Sequence, residues 1–185
     1  MFNKSVVLKS AVCAALFSVS ALASAVTVPG GTIHFKGSIV NAACAVSASS
    51  DGQVVKLGQY RSANFTAAGD RSNPVTFQIE LEDCDTTVSK TAQVAFSGNL
   101  DAIDSTVLAV TNSASGTSGA ASGVGIEIAD HTGLVLKPDG SAFSTAQNLI
   151  NGHNVLNFSA RYKSTVAAVT PGAADASATF VMQYM

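Results

Sequence analysis

The side chains that could do chemistry are few and widely separated. The three histidines are His34, His131 and His153. Their spacing matches no local metal motif, in which ligands recur a few residues apart, so they read as surface histidines beside turns or on a strand. Gly116-Thr117-Ser118-Gly119 sets a serine between glycines, but the G-x-S-x-G spacing that raises a nucleophile on a strand-to-helix turn is missing. Glu82, Asp83 and Asp85 surround Cys84. Clustered carboxylates can bind calcium or act as acid and base. Here the ligand pattern of a calcium loop is lacking, and a solvated strand end followed by a turn accounts for them. No phosphate-cradling loop and no Trp is present. These residues argue for no catalysis, no cofactor, no metal and no small-molecule substrate.

The cysteines carry more, once the compartment is read. Lys4 and Lys9 precede an uncharged run from Ser10 to Leu22, which ends in the small residues Ala21, Ala23, Ser24 and Ala25. Basic, apolar and small, in that order, describe a secretory signal peptide, and the apolar run is shorter than the roughly 20 residues a membrane span needs. Cleavage after Ala23 and after Ala25 both fit, with Ala23 preferred, so residues 1–23 are expected to be removed. Lys4, Lys9 and Cys13 leave with them. Eight basic residues then face twelve acidic ones, for a net charge of −4. No basic block remains, which argues against nucleic acid and anionic membranes as partners. Cys44 and Cys84 are an even pair in an exported chain, and the simplest inference is one disulfide. It would close a loop of about 40 residues, worth about 4 kcal/mol in the chain-entropy account.

The elements that position these residues have a period of two. Val75, Phe77, Ile79 and Leu81 alternate with Thr76, Gln78, Glu80 and Glu82, as on a strand with one buried and one wet face. Ala174, Ala176, Ala178, Phe180, Met182 and Tyr184 repeat the pattern at the C-terminus. Further strands are predicted at 53–57, 92–96, 107–110, 124–128, 133–136 and 155–162, the last with Leu156, Phe158, Ala160 and Tyr162 on one face. Pro138-Asp139-Gly140 and Asn151-Gly152 are turn signals, Ser62 to Ala68 suits a single helical turn, and 111–123 reads as a small-residue surface loop. Short strands between turns give an antiparallel sandwich or barrel, in one domain.

Ahead of that body, Thr32 to Lys36 also alternates, with Gly31, Ile33 and Phe35 on one side and His34 and Lys36 on the other. Two readings fit. The strand forms the first edge of its own sandwich, or it pairs with the sheet of another molecule by β-augmentation.

Gly30-Gly31-Thr32-Ile33-His34-Phe35-Lys36-Gly37, followed by Val40-Asn41-Ala42-Ala43-Cys44-Ala45-Val46, resembles the opening of type 1 fimbrial major pilins. The resemblance continues through Leu57-Gly58-Gln59-Tyr60-Arg61, Leu81-Glu82-Asp83-Cys84-Asp85, Val94-Ala95-Phe96-Ser97-Gly98 and Lys137-Pro138-Asp139-Gly140. It runs on through Ala160-Arg161-Tyr162 and Thr170-Pro171-Gly172-Ala173-Ala174 to Ala178-Thr179-Phe180 and Tyr184. It implies an all-β, incomplete immunoglobulin-like sandwich that lacks its last strand and is completed by a donor strand from a neighbouring subunit.

The resemblance implies three segments: a signal peptide (1–23), a donor-strand extension (24–36) and a pilin domain (37–185). Gly31, Ile33 and Phe35 would be the donor residues, and Cys44 and Cys84 the family disulfide. Gly172, Phe180, Met182 and Tyr184 would belong to the C-terminal strand that faces the chaperone. The implied partners are identical subunits, a periplasmic chaperone, an outer-membrane usher and other fimbrial subunits, and the implied location is an extracellular fimbrium reached through the periplasm. The function expected is that of a rod subunit supporting adhesion through a separate tip adhesin. A minor or terminating subunit, or a secreted carbohydrate-binding sandwich, is the alternative. Pro29 departs from the family pattern, where a polar residue is frequent, and it removes a ladder donor.

Overall fold

The computed structural model of the chain describes residues 27–111 and 119–185. The expected signal peptide, residues 24–26 of the expected donor segment, and Gly116 to Ser118 lie outside the described residues. The chain divides into two units, Met1–Ser38 and Ile39–Met185.

In the first unit, residues 27–38 carry neither helix nor strand and are exposed throughout. The predicted strand at Thr32 to Lys36 is therefore not formed: Ile33 is 76 % and Phe35 91 % exposed. The physical reason is that a strand exists only as one member of a hydrogen-bonded pair, and alternation supplies the face without supplying the partner.

In the second unit the period-two segments become ladders. Among the described residues the strands are β1 (Ala45–Val46), β2 (Val75–Cys84), β3 (Thr91–Gly98), β4 (Leu108–Ala109), β5 (Val124–Asp130), β6 (Val135–Leu136), β7 (Asp139–Phe143), β8 (Gln147–Asn148), β9 (Gly152–Ser164) and β10 (Ala178–Tyr184). One sheet runs β1-β2-β9-β5-β4, with β6 also on β5; the other runs β10-β3-β7, with β8 also on β3. These pairs are all antiparallel.

The long central pair β2–β9 sets the frame. Val75 lies opposite Ala160, Phe77 opposite Phe158 and Ile79 opposite Leu156, so the predicted apolar faces of the two strands coincide. Ile79, Leu81, Leu156 and Phe158 are buried, and Val94 and Phe96 of the second sheet close over them. Phe96 meets Phe158 edge-on at 5.2 Å, and Phe77 stacks on Phe158 at 5.6 Å, geometries favoured by the ring quadrupole.

Four predictions for the second unit shift in the structure. Residues 53–57 form no strand, although Val55 and Leu57 are half-buried and Val54 and Lys56 exposed. Alternation is present there and the ladder is missing. The loop predicted over 111–123 is tied down at its described ends, where Thr111 bridges Asp175, Ala120 bridges Ala173 and Ser122 bridges Thr170. The unpredicted strand β7 starts at Asp139, inside the predicted Pro138-Asp139-Gly140 turn, and the helical turn predicted over Ser62 to Ala68 is a shorter 3-10 turn at Ser62–Asn64.

Cys44 and Cys84 are bonded, with Cα atoms 4.1 Å apart. Register shifts between Leu81 and Cys84, and Asp83 takes a left-handed φ of 52°. Aspartate tolerates that conformation better than most residues, and the kink re-aims Cys84, which is buried with Cys44.

Candidate functional site

The residues first considered for chemistry do not converge. His34 and His131 are exposed, and His153 lies 3.8 Å from Glu82 on the sheet surface. Asp85 caps a turn: its carboxylate accepts from the Thr87 hydroxyl at 2.6 Å and the Thr87 N–H at 2.8 Å, and these bonds hold its pKa below the usual carboxylate value. Among the described residues, no group of three or more His, Cys, Asp and Glu could hold a metal ion.

Sequence reasoning missed the largest charged cluster. Glu127 on β5 is 1 % exposed. It accepts from Arg71 at 2.9 and 3.0 Å and from Arg161 at 2.7 Å. Burial opposes its charge, and the two guanidinium groups outweigh that, leaving its pKa lowered. Lys163 bridges onward to Asp104 at 2.7 Å. The cluster is internally paired, which describes a structural tie of β5 and β9 to residue 71. Only the odd Glu between Ile126 and Ile128 hinted at it.

The unusual feature is an open strand edge. Among the described residues, β10 ends its sheet and pairs with β3 alone. The Met185 N–H donates to the Thr91 carbonyl at 3.1 Å, and its carbonyl accepts from Thr91 N–H at 3.0 Å. Backbone direction alternates along a strand, so Thr179, Val181 and Gln183 also aim their amides and carbonyls at β3. Those of Ala178, Phe180, Met182 and Tyr184 aim the other way, where no strand pairs with β10 among the described residues. Unpaired edges of this kind are costly and template further pairing.

The side chains beneath that edge are unfinished too. Phe180, Met182 and Tyr184 pack against the core yet remain only partly buried. Phe180 reaches Phe96 at 6.4 Å. The Tyr184 hydroxyl donates to the Cys44 carbonyl at 3.3 Å, and burial raises its pKa. At the other end, Gly58, Gln59 and Tyr60 face Pro171 to Asp175 across a cavity of about 490 Å³. Cys44 thus touches the end of the final strand, and residues 58–60 face its lead-in across a cavity. Leu57, from the stretch that alternates without forming a strand, packs against the same core.

The predicted site residues accordingly divide. Phe180, Met182 and Tyr184 share one row. Cys44 sits at the end of that row, bonded to Cys84. Gly172 lies apart, before β10 begins: a Cβ there would come within 2.5 Å of Ala121 N and Gly119 O, so only glycine permits this approach. Gly31, Ile33 and Phe35 are exposed.

Comparison with known proteins agrees with this geometry. The pattern that defines the family described as "Fimbrial protein" matches residues 33–185. The fimbrial-like protein SfmA of Escherichia coli K-12 is 54 % identical over 177 residues, 96 % of this chain and 97 % of its own. Fimbrial subunit type 1 of Salmonella typhimurium is 54 % identical over 167 residues, 90 % of this chain and 89 % of its own. Among solved structures, a subunit of a chaperone–usher pilus superposes with a TM-score of 0.67 at 31 % identity, over 87 % of this chain and all of that one. The P pilus rod subunit PapA gives 0.63 at 31 % identity, over 78 % of this chain and all of its own.

Proposed function

The chain belongs to the fimbrial protein family and is a structural subunit of chaperone–usher fimbriae with an incomplete immunoglobulin-like fold, and from that premise we propose that it builds a type 1-like rod by donor-strand exchange. Residues 24–36 form the donor strand of one copy, with Gly31, Ile33 and Phe35 turned into the groove of the next copy. Residues 37–185 form the domain that receives it. The observation that carries the reading is the open edge of β10, with Phe180, Met182 and Tyr184 half-covered beneath it.

The chemistry of the two surfaces is complementary. Burying Ile33 and Phe35 contributes about 1.5–3 kcal/mol each, and each new ladder hydrogen bond about 0.5–1.5 kcal/mol net. Ordering the donor costs about 1–2 kcal/mol per residue. Lasting strength therefore comes from the slow release of a whole strand at once, a kinetic property. Before assembly the same edge needs cover. A periplasmic chaperone supplies it along Phe180, Met182 and Tyr184, with Gly172 holding the lead-in of that strand in place, and an outer-membrane usher is where the exchange occurs. Residues 1–23 direct the chain to that compartment.

The test is deletion of residues 24–36 with residues 1–23 and 37–185 kept. The subunit should accumulate in the periplasm bound to chaperone, accept a donor strand, give none, and so cap chains. Normal fibres from the deleted subunit would end the donor-strand reading, and Ile33 and Phe35 would be surface residues of their own copy.

A further inference from the structure

Ile39 is 104 % exposed, the highest value among the exposed large apolar side chains of the described residues. It also lies in register with the expected donor face. Residues 31, 33, 35, 37 and 39 are Gly, Ile, Phe, Gly and Ile, and an extended chain turns all five to one side. The apolar face thus does not end at Lys36, where the donor strand was expected to end. Val40, also exposed, lies on the opposite side.

The cavity between residues 58–60 and 171–175 is the matching feature. Its walls include Phe65, Tyr60 and Tyr162 beside Pro171 and Ala174. The rings are held in place: Tyr60 meets Tyr162 edge-on at 5.8 Å, and the Tyr162 hydroxyl donates to the Ala174 carbonyl at 3.0 Å. Gln59, Ser62, Thr170 and Asp175 complete a recess of mixed polarity with an aromatic side, and it lies at the residues that lead into β10.

Register connects the two. The strand pairs of this fold are antiparallel, and antiparallel pairs are the more stable kind. An antiparallel donor that lays Gly31 against Tyr184 matches its smallest residue to a large ring. Ile33 then meets Met182, Phe35 meets Phe180 and Gly37 meets Ala178. Two residues on, Ile39 meets Ala176, beside the cavity wall at Ala174 and Asp175.

We propose that Ile39 is a further donor residue, and that in the fibre its side chain fills the Tyr60–Tyr162–Ala174 cavity of the neighbouring copy. The partner is a second copy of this chain. The inference rests on the donor-strand reading above and extends the strand by three residues. It gives the recess an occupant and removes the most exposed isoleucine from water.

Cysteine pairs test it in assembled fibres of the full chain. Ile39→Cys combined with Ala176→Cys should give a ladder of disulfide-linked multimers in non-reducing SDS gels, whereas Val40→Cys combined with Ala176→Cys should give monomers. A reference pair, Ile33→Cys with Met182→Cys, reports on donor-strand exchange itself. A ladder from the reference pair without one from Ile39→Cys overturns the present inference alone. Ladders from neither pair overturn the donor-strand reading. A cross-link within single subunits, from Ile39→Cys to Ala176→Cys of the same copy, also overturns the inference. Because Ile39 is exposed in the subunit, Ile39→Ser leaves folding untouched. Its fibres should dissociate on heating in SDS about tenfold faster than the parent's, and Val40→Ser fibres should match the parent. Equal rates for Ile39→Ser and parent would overturn the inference even where the cysteine variants fail to assemble.

Discussion

β9 and β10 carry the same kind of apolar alternation and meet different fates. β9 has β2 on one side and β5 on the other, and its inward Leu156, Phe158 and Ala160 are 2–6 % exposed. β10 has β3 on one side only, and its inward Phe180, Met182 and Tyr184 stay partly open. Side-chain pattern decides which face of a strand turns inward. The number of neighbouring strands decides whether that face is finished. Among the described residues, no strand pairs with the outer edge of β10, along the same line as the unfinished side chains, and one incoming strand would satisfy both.

The contrast predicts that the two regions fail differently. Phe35→Asp should have the largest effect on assembly and almost none on the subunit. It places an unpartnered charge in an apolar groove, costing several kcal/mol, while Phe35 is 91 % exposed in the subunit. Fibre yield by electron microscopy should collapse with periplasmic subunit levels unchanged, and His34→Ala, on the opposite face, should assemble normally. Equal behaviour of the two variants would break the face assignment.

Phe158→Ala should do the reverse. Emptying the centre of the aromatic cluster costs about 3–5 kcal/mol, read as a lower urea midpoint of the soluble subunit and as less subunit in the periplasm before assembly begins.

A smaller loss is expected at Asp130, which closes the turn after β5. Burial works against its charge, and hydrogen bonds from Thr145 N–H and from the hydroxyl and N–H of Thr132 outweigh it, setting its pKa at about 2. A folded pKa depressed below the ordinary carboxyl value of 3.8 contributes stability that is fully present above that value and is lost as pH falls from 3.8 towards 2. Asp130→Asn should cost on the order of 2 kcal/mol at neutral pH and flatten the acid limb of a stability–pH curve. An unchanged acid limb would remove Asp130 as its source.

Tyr184→Ser should weaken the soluble subunit less than Phe158→Ala or Asp130→Asn, by about 1 kcal/mol, since the ring is already half open. Its sharper effect falls on partners: less chaperone-bound subunit in the periplasm and fewer fibres. Unaltered chaperone complex would count against the role given to β10.

Legibility in the sequence follows the same division. The faces of β2, β9 and β10 could be read because side-chain period is local and burial obeys it. The Cys44–Cys84 bond could be read because an even pair in an exported chain has few alternatives. Three features could not. Val55 and Leu57 alternate as a strand does, and only a partner would make them one. The pinning of residues 119–122 against Gly172 depends on a close approach between distant segments of small residues, which carry no periodic signal. The burial of Glu127 depends on Arg71, 56 positions away, and no spacing rule links them. Period alone puts Phe180, Met182 and Tyr184 on one face, period and resemblance together single out Gly31, Ile33 and Phe35, and the cavity between residues 58–60 and 171–175 is visible only in the fold.

The central claim is that one edge of β10 is open in the subunit and closed in the fibre. Residue-resolved amide hydrogen exchange of soluble subunit and assembled fibre tests it most directly. The amides of Thr179, Val181 and Gln183, which face β3, should be protected in both. Those of Phe180, Met182 and Tyr184 should exchange rapidly in the subunit and become strongly protected in the fibre. Equal protection of all six amides in the soluble subunit, or rapid exchange of the even-numbered three in the fibre, would contradict the account.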